Sequence, residues 1–62
     1  MQFEIDILND EMVLLDEDGN SYQAATPTTY GNAKRTIHRW LAQYAFNVAD
    51  AYRRISDHFK TR

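Results

Sequence analysis

The chain has 62 residues, 44% of them apolar and 13% aromatic, with a formal net charge of −2 and no cysteine. This describes one domain at most, apolar enough for a compact core, and it excludes a disulfide framework. A structural zinc site is not expected either, because the strong nitrogen ligands are only His38 and His58, with no thiolate to join them.

Residues 2–8 alternate, with Phe3, Ile5 and Ile7 on one side and Gln2, Glu4 and Asp6 on the other. That period of two predicts a half-buried strand. Asn9-Asp10 signals a turn, and Met12 to Asp16 gives a short second strand. Asp16-Glu17-Asp18-Gly19-Asn20 is a strong turn, with Gly19 suited to positive φ. Ser21 to Thr26 reads as a third strand with Tyr22 and Ala24 on one face. The short connections imply an antiparallel meander.

Thr26-Pro27-Thr28-Thr29 then announces a helix, threonine suiting its cap and proline its first turn. Gly31 leaves the exact start open. Ile37, Leu41, Tyr44, Val48, Tyr52, Ile55 and Phe59 recur at steps of three and four, one face of a helix. Trp40, Ala33 and Ala51 widen that stripe. No Gly or Pro interrupts the segment from Ala33 to Lys60. The expected fold is α+β, a single domain across residues 1–62. A three-stranded antiparallel β-meander over residues 2–26 precedes one long amphipathic helix over about 28–60.

Such a helix would be ~45 Å long, against ~17–20 Å for a short strand. Ile37, Trp40, Leu41 and Tyr44 would sit on the sheet, while Val48, Tyr52, Ile55 and Phe59 would overhang. Leaving each in water forfeits ~1.5–3 kcal/mol, a large loss for so small a chain. The expectation is therefore a partner or dimer interface formed by Phe46, Val48, Tyr52, Ile55 and Phe59, most simply in a homodimer. Phe46 falls among Arg39, Asp50, Arg53 and Asp57 on the opposite face, in the manner of an interface anchor. The alternative is a bend near Phe46-Asn47, disfavoured because no residue there supplies the usual turn chemistry.

No motif carries catalysis. Ser56-Asp57-His58 holds triad residue types, but neighbours on a helix point in different directions. Gly19 and Gly31 are the only glycines, so there is no phosphate loop or nucleophile elbow. Asp16-x-Asp18-Gly19-Asn20 resembles part of a calcium loop, yet Leu14 and Ala25 stand where its first and last ligands belong. A non-enzymatic protein without cofactor or metal is expected.

Charge is segregated along the chain. Glu4, Asp6, Asp10, Glu11, Asp16, Glu17 and Asp18 lie in residues 1–27 with no base, while residues 28–62 hold all seven bases and only Asp50 and Asp57. The plainest reading is that the two halves attract each other within the fold, and two functional readings stand beside it. Glu4, Asp6, Asp16, Glu17 and Asp18 form an acidic surface that could enter a basic groove on another protein, guided by complementary charge. Alternatively Lys34, Arg35 and Arg39 contact nucleic-acid phosphates. In size, composition and architecture the chain resembles the small accessory proteins of phages and mobile elements, which often inhibit host enzymes or defence complexes. The favoured expectation is an inhibitor or modulator of another protein. Nucleic-acid binding and a purely structural oligomerisation module are the alternatives. No apolar run approaches the ~20 residues of a membrane span and no secretion signal is evident, so a cytoplasmic protein with no membrane partner is expected.

Overall fold

A computed structural model describes residues 1–61. Three strands, β1 (Gln2–Asp6), β2 (Glu11–Leu15) and β3 (Ser21–Ala25), precede two helices, α1 (Tyr30–Leu41) and α2 (Val48–Lys60). The strands pair in the order β1-β2-β3, both pairs antiparallel. Alternation sends Phe3, Met12 and Leu14 into the core, and Ile5 and Ala25 pack against them. Phe3 lies opposite Leu14, and Ile5 opposite Met12. Both helices cover that one face, adding Ala33, Ile37, Trp40, Ala51 and Ile55. The α+β class and the antiparallel meander are as the alternation implied.

The acidic turn between β2 and β3 is closed by its own side chain. Asp16 Oδ1 accepts from the backbone N–H of Asp18 (2.9 Å) and of Asn20 (2.8 Å). Gly19 takes φ +85°, a region open to glycine at no steric cost. The register shifts between Leu14 and Leu15, which face Gln23 and Ser21, so Tyr22 is the extra residue of a β-bulge.

The helix divides where one continuous rod was expected. Residues 42–47 leave the helical path, α1 closing with the Gln43 and Tyr44 amides donating to Trp40 O at 2.9 and 2.8 Å. α2 restarts on Asn47, whose side-chain Oδ1 accepts from the Asp50 amide at 2.9 Å. A helix cap at Asn47 thus stands where residues 46–47 were expected to lack turn chemistry. The driving force is burial. An unbroken helix would be a ~45 Å rod, whereas the folded chain is 30 Å in its longest dimension. Turning back seals Ile55 completely and brings Val48, Tyr52 and Phe59 half-buried against the same core. The overhang does not exist, and with it goes the ground for requiring a second copy.

Smaller corrections arise from the same packing. α1 begins after Thr29, whose Oγ1 accepts from the Asn32 amide at 3.1 Å. Leu41, expected on the core stripe, is 45% exposed at the end of α1, because the chain turns away directly after it. Phe46 is half-buried in the interhelical connection and stacks on Phe3, ring centroids 6.5 Å apart. It therefore packs inward, against the core residue Phe3.

Replacing Asn47 with alanine removes the cap of α2 and is expected to cost about 0.5–2 kcal/mol. A urea titration should show a lower midpoint with an unchanged slope, and Asn47→Asp should restore most of the loss.

Candidate functional site

The expected acidic surface is distributed rather than gathered. Consecutive turns of a meander lie at opposite ends of the sheet. Asp16, Glu17 and Asp18 border a shallow hollow with Met1 and Tyr22 at one end. Asp6 pairs with Glu11 at the other. Glu4, between them, accepts from Arg54 Nη1 at 3.0 Å. Asp6 and Asp16 both use their carboxylates to brace turns. Glu17 and Asp18 remain exposed, with no ion pair among the described residues.

On α2 the bases are answered locally. Asp50 receives Arg53 Nη2 at 2.6 Å and Arg54 Nε at 2.8 Å. The hydrogen bond from Arg53, helped by Arg54, holds the Asp50 carboxyl below its ordinary 3.8. A depressed carboxyl favours the folded state above its unfolded pKa, and that contribution is lost as pH falls through the folded value. In an NMR titration Asp50 should therefore protonate with a midpoint below 3.8, and Arg53→Ala should move that midpoint upward.

Helix α1 differs. Lys34, Arg35 and Arg39 all lie on its exposed side, and residues 30–41 contain no carboxylate. Lys34 Nζ stands 4.8 Å from the centroid of the Tyr30 ring. Arg35 and Arg39 share the face away from the core, as their spacing implied, and have no ion pair among the described residues.

The feature that the alternation concealed is the β1–β2 turn. β1 ends at Asp6, so Ile7 leaves the inner face it was expected to share with Phe3 and Ile5. Asp6 Oδ1 accepts from the amides of Leu8 (3.1 Å) and Asn9 (3.4 Å), and its Oδ2 from Asn9 Nδ2 (2.8 Å). These bonds curl the chain one residue early, and Asp10 completes the turn at φ +52°. Ile7 is left 77% exposed and Leu8 95% exposed. The combination of Asp6 with Asn9-Asp10 was the available signal: a side-chain acceptor followed by turn residues ends a strand whatever its alternation.

The turn is tied to α2 by His58 Nε2, 3.4 Å from Asp10 Oδ1, with the His58 ring edge-on to Phe59. Between turn and helix runs an open cleft of about 370 Å³, lined by Ile5, Ile7, Arg54, Asp57, His58 and Thr61. No group of three or more metal-ligating side chains occurs among the described residues, and no helix there is long and apolar enough to cross a membrane.

These features define a two-layer α+β domain that presents an aliphatic knob on a braced turn. No family model, curated protein or solved structure matches the chain.

Proposed function

We propose that the chain is a non-enzymatic protein-binding module that docks on another protein through its β1–β2 turn and inhibits or modulates that partner. The exposure of Ile7 and Leu8 carries this reading. Scattered surface leucines need no explanation. Two adjacent aliphatic side chains held up by three hydrogen bonds are different, because a braced turn loses little conformational freedom on binding. Asp6, Asp10 and Glu11 flank the knob along the chain, which favours a partner surface with basic rims over nucleic acid. Acting by occupation of a partner's surface is also the mode open to a chain whose interior is filled by its own core. An inhibitor in the style of phage accessory proteins is the specific form of this proposal.

Affinity capture from the native cell tests it. Wild-type chain should retain a protein that the Ile7→Ser/Leu8→Ser variant does not, with the two chains equally folded by circular dichroism. Capture indifferent to the turn, or recovery of nuclease-sensitive material alone, would overturn it.

One observation favours a second reading. The three cations of α1 have no carboxylate on their own helix, so Lys34, Arg35 and Arg39 could track phosphates. That reading requires affinity for duplex or single-stranded oligonucleotides that falls steeply with salt and is lost in Arg35→Glu.

A further inference from the structure

We infer that the cleft between the β1–β2 turn and the end of α2 accepts a cationic–apolar segment of the partner protein, an inference that rests on the protein-binding reading above. In this assignment an aliphatic side chain of the partner lies against Ile5 and Ile7, and a neighbouring Lys or Arg reaches Asp57.

The lining groups decide the chemistry. One wall is aliphatic, Ile5 half-buried and Ile7 largely in water, so an apolar occupant removes exposed hydrocarbon from solvent. The opposite wall offers two charges of opposite sign, but they are not equally available. Arg54 is already held by Glu4 at 3.0 Å and Asp50 at 2.8 Å. Asp57 is exposed, and its carboxylate has no ion pair among the described residues. An incoming cation therefore meets an unanswered carboxylate, whereas an incoming anion meets a guanidinium that already has two partners. Complementarity of this kind fixes which ligand enters more than how tightly it is held. The cleft is continuous with the exposed knob through Ile7, which belongs to both. A partner gripping the knob thus has a segment beside this groove.

Short peptides test the assignment without the native partner. The isotope-labelled full chain is titrated at low ionic strength with acetylated, amidated Lys-Leu-Lys, and separately with Glu-Leu-Glu, up to about 10 mM, tenfold above a millimolar site. Lys-Leu-Lys should give saturable shifts at the amides of Ile5, Ile7, Asp57, His58 and Thr61, and should bind at least about fivefold more tightly than Glu-Leu-Glu. Asp57→Asn should weaken Lys-Leu-Lys about threefold, the scale of one exposed ion pair, and Asp57→Glu should recover the affinity. Equal response to both peptides, preference for the anionic one, shifts confined to other surfaces, or no saturation would overturn the cleft assignment. The protein-binding reading stands or falls separately, on capture through Ile7 and Leu8.

Discussion

Replacing Ile55 with alanine is expected to remove about 2–5 kcal/mol of folding stability. Replacing it with aspartate is expected to leave the chain unfolded. Ile55 has no exposed surface and sits with Phe3, Leu14, Ile37 and Trp40 in one core. Its loss opens a cavity where helix and sheet meet, and small domains have little margin to absorb that. A buried carboxylate there would have no partner, which costs more still. Urea unfolding of Ile55→Ala and far-ultraviolet circular dichroism of Ile55→Asp give the measurements. The result separates two architectures. Were Ile55 on an overhanging helix at a dimer seam, dilution would destabilise the wild-type chain. If the two-helix fold is complete within one chain, stability should be independent of protein concentration, and light scattering should give the mass of one chain.

The second large effect concerns binding rather than folding. Changing both Ile7 and Leu8 to serine is expected to weaken the partner complex by at least about 30-fold, the loss of one interface hot spot of ~2 kcal/mol. Folding stability should move by no more than about 0.5 kcal/mol, because both side chains already lie in water. Isothermal calorimetry against the captured partner checks the first number and urea unfolding the second. A mutation that leaves the fold intact and removes the complex identifies a contact residue. The reverse pattern is expected of Phe46→Ala, since Phe46 stacks on Phe3 inside the chain.

The three strands and the β2–β3 turn were legible because their signals are local. Alternation at Phe3 and Ile5, and the string from Asp16 to Asn20, each act within a few residues. The break between the helices was not. Its apolar stripe runs in phase from Ile37 through Tyr44 to Ile55, and Ala42, Gln43 and Ala45 are good helix formers. Only the distant gain from folding Ile55 onto the sheet decides that the chain turns there, with Asn47 ready to cap the second helix. The individual charges of the surface were legible too, but their roles depend on neighbours far along the chain. Arg54 meets Glu4 across fifty positions, and nothing local shows that Asp57 is left over. Ile7 continues the alternation perfectly, and the side chain of Asp6 overrides it by ending the strand.

The bulge at Tyr22 has a consequence for how the molecule behaves when crowded. A sheet with open rims can grow by adding strands from other molecules, the route to filaments. On the β3 rim the extra residue increases the local twist, and the Tyr22 ring stacks with that of Tyr44, centroids 6.3 Å apart. Gln23 Nε2 also donates to Tyr44 Oη at 2.8 Å, fastening the interhelical connection to the same strand. An incoming strand would find this border warped and partly roofed, so the small sheet is guarded against polymerisation on that side.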